Sequence, residues 1–294
     1  MNSGSVGQIR VRAPAKINLT LRVLGGRPDG YHELRTTFQS LALHDTLTFV
    51  RTRERFAIEC DDPRCPADRT NLVWKAAEAL WRAHGRPGSV AGVHIRIRKR
   101  IPMQAGLGGG SSDAAATLQA LAALWGIRLA RDRTHAIARA LGADVPFFLE
   151  GGTVLGLERG DELFPLLDGP PHWVVLVLPD FGVSTVDAYR WWDERRKRKR
   201  SATGHLQGVR NDLQTAVAAH HPRITRAVNR LRRLGAREAG MSGSGSAVFG
   251  LFEREVAAQQ AAATIDASSC VTLVTRTTTR RQHHTLTRVQ LMSR

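Results

Sequence analysis

The residues of this 294-residue chain best equipped for chemistry form one stretch, Pro102-Met103-Gln104-Ala105-Gly106-Leu107-Gly108-Gly109-Gly110-Ser111-Ser112-Asp113. Backbone with so few Cβ atoms can approach an anion closely. The alanine-rich, helix-like run that follows would aim unpaired N–H groups and the positive end of its dipole at that anion. The chemistry this implies is phosphate binding. A flexible linker fits less well, because linkers are not wedged between two strongly patterned elements. Two other segments belong beside it. Pro14-Ala15-Lys16-Ile17-Asn18-Leu19 sets Lys16 among apolar residues at the start of a strand, where a plain strand-edge lysine is the alternative. Ser242-Gly243-Ser244-Gly245-Ser246 can form a backbone nest for an anion, with a tight turn as the alternative.

The loop fails the common nucleotide signatures. It contains no G-x-x-x-x-G-K-[ST], and reading G-x-G from Gly106 or Gly108 puts Ser111 or Asp113 where the next glycine belongs. The partner motifs of protein kinases are missing too. A phosphate loop of another kind remains.

Periodicity supplies the elements around these residues. Gln8–Arg12, Ile17–Val23, Leu34–Leu43, Asp45–Arg51 and Arg55–Glu59 read as strands. Leu72, Ala76, Ala79 and Leu80 give a helix over Asn71–His84, and Val93, Ile95 and Ile97 alternate in a strand that runs into the glycine loop. Helices are predicted over Ser111–Trp125 and Thr134–Leu141, the second followed by Gly142-Ala143-Asp144-Val145-Pro146-Phe147-Phe148. Beyond Gly151-Gly152 come strands at Thr153–Leu157, Trp173–Leu178 and Ala247–Phe252, with Val271–Thr275 the last. Helices are expected at Val186–Glu194, Leu213–Ala219, Pro222–Leu234 and Glu255–Ile265. Strands and helices in both halves imply two α+β lobes, residues 1–152 and 153–294.

The net charge of +17 favours anionic partners: nucleic acid, nucleotides or phosphorylated metabolites. The charge is spread out, except for Arg195-Arg196-Lys197-Arg198-Lys199-Arg200, which reads as a solvated loop. No zinc-finger spacing or RNA-binding aromatic motif accompanies it, so a nucleic-acid partner is disfavoured. Cys60, Cys65 and Cys270 show neither disulfide nor zinc spacing and read as ordinary thiols. His220-His221 and His283-His284 read as surface pairs. No apolar run spans a bilayer and no secretory h-region is visible, so a cytoplasmic protein is expected.

In their order, the three small-residue and lysine segments resemble those of the GHMP kinases: an early Pro-x-Lys strand, a central Pro-x-x-x-Gly-Leu-Gly-x-Gly-Ser-Ser loop and a late glycine-serine motif. Lys16-Ile17-Asn18-Leu19, then Arg27-Pro28-Asp29-Gly30-Tyr31-His32-Glu33-Leu34, is similar to the branch of that family acting on 4-diphosphocytidyl-2-C-methyl-D-erythritol in the non-mevalonate isoprenoid pathway. Gly142–Phe148 and Asn211-Asp212-Leu213 are similar to further blocks of the same branch, and the resemblance runs from Ile9 to Phe252.

The resemblance implies a two-lobe α+β fold with the active site in the cleft between an N-terminal ATP-binding lobe and a C-terminal substrate lobe. It implies ATP-dependent phosphorylation of the 2-hydroxyl of the cytidylyl sugar alcohol. Another GHMP kinase activity, on homoserine or mevalonate, is the near alternative, and charge-driven nucleic-acid binding is the distant one. Catalysis is assigned to Lys16 and Asp144. An aspartate can accept the alcohol proton and a lysine beside it can favour its ionised form, whereas a cap or turn residue is the alternative for Asp144. Asn18, Tyr31, His32 and Tyr189 correspond to substrate-binding positions, with a helix-face core residue the alternative for Tyr189. ATP falls to Asn71 near the adenine and to Pro102, Met103, Gln104, Ala105, Gly106, Leu107, Gly108, Gly109, Gly110, Ser111 and Ser112. Phosphoryl transfer calls for Mg2+; its ligands stay unassigned, and Asp113 reads as a helix cap. A small-molecule partner, no membrane, and a monomer or homodimer complete the expectation. The chain departs from the family at Gln104-Ala105, where glycine is common, and in the basic run.

Overall fold

The computed structural model describes residues 7–198, 211–265 and 270–292. β1 (Gln8–Gly26) and β2 (His32–Arg55) form one long antiparallel pair. Each is continuous where the sequence predicts two strands. Register shifts between Pro14 and Lys16 and between Asn18 and Thr20 take up the breaks in alternation, and such bulges re-aim side chains. β3 (Ala57–Cys60), α1 (Leu72–Ala83) and β4 (Ala91–Arg98) follow, then α2 (Gly109–Trp125), α3 (Arg131–Leu141) and the short α4 (Phe147–Glu150). β5 (Thr153–Glu158), β6 (Glu162–Pro165), β7 (Trp173–Pro179) and α5 (Thr185–Arg198) lead to α6 (Asp212–His220) and α7 (Arg223–Arg233). The chain ends with β8 (Glu238–Met241), β9 (Val248–Phe252), α8 (Glu255–Thr264), β10 (Cys270–Arg276), α9 (Arg280–Leu286) and β11 (Gln290–Met292).

Two sheets result. The first runs β11-β1-β2-β4-β3, with β5 also on β2 and β6 on β5; the second runs β10-β7-β9-β8. Apolar side chains alternating on β2 and β4, such as Phe49 and Ile95, pack on Leu80 of α1 and Leu121 of α2. In the second lobe, Val175 and Val177 of β7 pack on Leu213, Ile224 and Leu231 of the helices. A third apolar cluster joins the lobes: Ile17, Leu41, Ile101 and Leu107 meet Leu176 and Phe249. The base of the cleft is therefore solid apolar packing.

Several expectations change. β5 and β6 pair into the first sheet and β11 returns to it from the C-terminus, so the two sheets do not part at residue 152. β6, β8, α9 and β11 are short or polar and carry too few apolar residues to show a period. α5 continues through Arg198, so the first part of the basic run is helix rather than loop; residues 199–200 lie outside the described residues. His283 is fully buried, not on the surface. No helix among the described residues is long and apolar enough to cross a membrane.

Candidate active site

Between the lobes lies a cleft of about 1200 Å³. Lys16, Asn18, Tyr31, His32, Gln104, Gly106, Ser111, Asp144 and Tyr189 all line it. Lys16 and Asn18, two apart on β1, project to one face. The Lys16 ammonium is buried, a costly placement unless it is compensated. It donates to Asn18 Oδ1 at 2.7 Å, pairs with Asp144 Oδ2 at 3.2 Å and lies 5.2 Å from the centre of the Phe38 ring. The Asn18 amide is oriented by its other end: its Nδ2 donates to Thr36 Oγ1, whose hydroxyl is already spent on the Thr20 carbonyl. Asp144 comes from the turn between α3 and α4. The N-cap of α4 is Pro146 and lacks a side-chain hydrogen bond, so Asp144 does not cap that helix. Its side chain is 34% exposed, which leaves the carboxylate open to the cleft while it touches the lysine.

The glycine loop needs its glycines. Gly106 has φ +74°, and a Cβ there would stand 2.3 Å from the Ser242 carbonyl oxygen. Gly108, also at φ +74°, is the N-cap of α2 and supplies no side-chain cap; a Cβ on it would meet the Phe148 ring at 2.7 Å. The first N–H groups of α2 consequently lack intrahelical acceptors, the arrangement that suits an anion. Ser242 Oγ donates to the Gly106 carbonyl at 2.9 Å and accepts from the Asn18 N–H at 3.3 Å. One hydroxyl thus fastens all three sequence segments together.

Other loop residues face elsewhere. Ala105 and Leu107 point into the inter-lobe core. Gly109 lies against Ile101 and Lys99, and Gly110 against Leu72. Pro102 and Met103 are half-buried beyond the cleft lining. Ser112 is buried, and among the described residues its Oγ has no hydrogen-bond partner. Asp113 is not a cap. Because α2 starts at Gly109, Asp113 falls inside the helix, where it pairs with Lys99 at 2.7 Å; Lys99 also pairs with Asp45 at 2.5 Å. Asn71 caps α1 by accepting from the Val73 N–H and donates to the Pro66 carbonyl, so both ends of its amide are committed to backbone, next to the Leu72 that touches Gly110.

At the far end of the cleft the motif Arg27–Leu34 shapes a hairpin turn. Asp29 Oδ1 accepts from the Tyr31 N–H at 3.1 Å, a bond that holds its carboxyl below the usual range, and Arg27 pairs with Glu33 at 2.6 Å. The turn presents Tyr31, 55% exposed, with the Arg159 guanidinium 5.1 Å from its ring centre. His32 stacks on Tyr189 at 4.6 Å, and its Nε2 lies 3.1 Å from both Asp193 carboxylate oxygens. Burial, and then the nearby Asp144 charge, push the Tyr189 hydroxyl pKa up. Sequence reasoning missed Asp193, Thr36, Arg159 and Lys197, all in the cleft. Asp193 carried a signal, one helical turn beyond Tyr189; Arg159 carried none.

Residues 71–152 match the GHMP kinases N terminal domain and residues 197–270 the GHMP kinases C terminal family. A 4-diphosphocytidyl-2-C-methyl-D-erythritol kinase of Moorella thermoacetica is 42% identical over 281 residues, covering 90% of this chain and 97% of that one. The chain belongs to the 4-diphosphocytidyl-2-C-methyl-D-erythritol kinase family of GHMP kinases. A family member from Solibacter usitatus is 46% identical, over 82% of this chain and 80% of its own. A crystal structure of 4-(cytidine 5'-diphospho)-2C-methyl-D-erythritol kinase superposes with a TM-score of 0.75 at 36% identity, covering 91% and 98% of the two chains. Homoserine kinase from Cytophaga hutchinsonii shares the fold at TM-score 0.71 and 19% identity, over 99% of each chain. The family makes this chain an ATP-dependent small-molecule kinase with the two-lobe α+β architecture.

Proposed function

We propose that this chain transfers the γ-phosphoryl group of ATP to the 2-hydroxyl of 4-diphosphocytidyl-2-C-methyl-D-erythritol. The observation that carries the reading is the Lys16–Asp144 pair, 3.2 Å apart and open to the same cleft as the glycine loop and the His32–Tyr189 stack. ATP phosphates lie along Gly106–Ser111 at the α2 N-terminus. Asp144 takes the proton of the acceptor hydroxyl, and Lys16 balances charge at the acceptor oxygen and the transferring phosphoryl group. Asn18 holds Lys16 in place. Tyr31, His32 and Tyr189 grip the cytosine, a contact of about 1–3 kcal/mol for each stacked base.

Mg2+, when bound, supplies charge neutralisation at the β- and γ-phosphates. Among the described residues there is no cluster of three His, Cys or acidic side chains for a metal. Mg2+ commonly keeps waters and binds through phosphates and one or two protein oxygens, and the hydroxyl of Ser111 in the cleft fits that sparse set.

The test is a coupled ADP-release assay across a substrate panel. The cytidylyl sugar alcohol should turn over, with homoserine and mevalonate inert. Turnover of either of those instead would replace the acceptor assignment, and salt-sensitive nucleic-acid binding without ATP turnover would end the kinase reading.

A further inference from the structure

His283 lies on α9, 139 positions beyond Asp144 in sequence, and is fully buried. Its Nε2 is 2.9 Å from the Phe148 carbonyl oxygen and its Nδ1 3.1 Å from Ser40 Oγ. The Phe148 carbonyl can only accept, so Nε2 carries the proton. In the neutral ring, Nδ1 then accepts from the Ser40 hydroxyl. Ser40 Oγ in turn accepts the Gly152 N–H at 2.9 Å, and the Ser40 N–H donates to the Gly152 carbonyl at 3.0 Å. With a neutral imidazole each donor in this chain has its own acceptor. Burial favours that state, pushing the imidazole pKa down to about 4 against the opposing pull of the Phe148 carbonyl. The side chain also presses on the backbone: a Cβ on Gly151 would stand 2.1 Å from His283 Cγ.

The backbone so gripped is the one that carries the reaction's carboxylate. Asp144 sits in a turn closed by Val145 N–H to Gly142, and the next turn follows without a break through Phe148 N–H to Val145 and Gly151 N–H to Phe147. Phe148 presses its ring on Gly108 at the glycine loop. Phe147 packs on Phe38 with ring centres 5.0 Å apart, and Phe38 lies beneath the Lys16 ammonium. The Phe148 carbonyl belongs to this same hydrogen-bonded segment, so a shift there is carried along it to Asp144.

We propose that His283, with Ser40, is a positioning residue for phosphoryl transfer: it anchors the Asp144–Gly152 segment from behind and thereby sets the Asp144 carboxylate against Lys16. The inference rests on the reading of Asp144 as the proton acceptor. It separates from the choice of acceptor molecule, because it can be tested on whichever substrate the panel identifies.

The experiment compares the full-length wild type with His283→Phe, which keeps the ring and removes both hydrogen bonds, and His283→Gln, whose amide can still donate to Phe148. Ser40→Ala is the milder variant. Small misplacements of reacting groups can cost about 100-fold in rate. His283→Phe should lose about 10- to 100-fold in kcat while KM for ATP and acceptor stays within about threefold. His283→Gln should recover most of that loss, and Ser40→Ala should lie between. In an Asp144→Asn background, His283→Phe should add little, since it acts through Asp144. A folded His283→Phe with wild-type kcat would overturn the proposal, as would an undiminished loss in the Asp144→Asn background. Should His283→Phe fail to fold, Ser40→Ala and His283→Gln decide: reduced kcat at unchanged KM in Ser40→Ala supports the proposal, and wild-type kcat in both overturns it.

Discussion

Two lysine–aspartate contacts flank the glycine loop, and they differ in kind. A Cβ on Gly108 would stand 3.1 Å from Lys16 Cγ, and one on the next residue, Gly109, 3.4 Å from Lys99 Nζ. Lys16 meets a single carboxylate, and that carboxylate opens to the cleft. Lys99 meets two, Asp45 and Asp113, both sealed from water. Asp45 also accepts the backbone N–H groups of Arg100 and Ile101, which ties β2 to the segment leading into the loop. Burial alone would lower the Lys99 pKa, yet Asp113 and Asp45 more than reverse it, and the net direction is up. Asp113 moves up as well, through burial and then the Asp45 charge, with Lys99 opposing. In the proposed mechanism the same pair of residue types does chemistry where one partner keeps water and an open approach. It does structural work where neither does.

This contrast can be broken most decisively at the open pair. Asp144→Asn should keep ATP binding and lose about 10²- to 10⁴-fold in kcat; a kcat near wild type would remove Asp144 as the base. The two lysines should then part company. Lys99→Met leaves two buried carboxylates without their cation and should cost about 3–5 kcal/mol of stability in denaturant unfolding. Lys16→Met leaves a carboxylate that water can reach, so its damage should fall on kcat rather than on the unfolding midpoint. Equal stability losses in the two variants would undo the distinction.

A subtler readout is pH. Asp113 binds its proton more tightly folded than unfolded, so the folded state holds more protons once the unfolded carboxyl ionises near pH 3.8. Its contribution to stability therefore falls as pH rises through the acid range and levels off above the folded-state pKa. Asp113→Asn mimics the protonated form without titrating. It should gain on wild type by about 1 kcal/mol or more in thermal melts between pH 4 and pH 8, and a difference independent of pH would contradict the raised pKa. The smallest effect is expected at Gln104, which holds φ +53° in the cleft wall. Left-handed backbone costs a residue with a Cβ about 1 kcal/mol. Gln104→Gly should raise stability by about 0.5 kcal/mol after the extra freedom of the unfolded glycine is counted, measured as a shift in the unfolding midpoint.

Much of the site was readable beforehand where the signal is local. A run of glycines before an alanine-rich helix points to an anion loop without any knowledge of the fold, and it does stand at the N-terminus of α2 on the cleft; Gln104 stood out as a departure from the sequence alone, and its backbone is left-handed. The short elements were not readable. Gln290–Met292 is a strand only because β1 offers it a partner. α9 had its Thr279–Gln282 capping box in plain view, yet its sequence, rich in arginine and histidine, resembles a surface segment. Asp113 reads as a cap for a related reason: a cap and a buried ion-pair partner look alike near the start of a helix, and the distinction rests on where α2 begins.

The amino-acid sequence alone determined the family and the class of reaction, because both reside in short motifs whose backbone and chemical properties are local. Only the tertiary structure decided that Lys16 and Asp144 touch, that Ser242 locks onto Gly106 and Asn18, that Asp193 backs His32, and that His283 sits beneath the Asp144 segment. Those are contacts across up to 224 positions of chain. Burial and distance belong to the packed molecule, and no stretch of sequence contains them.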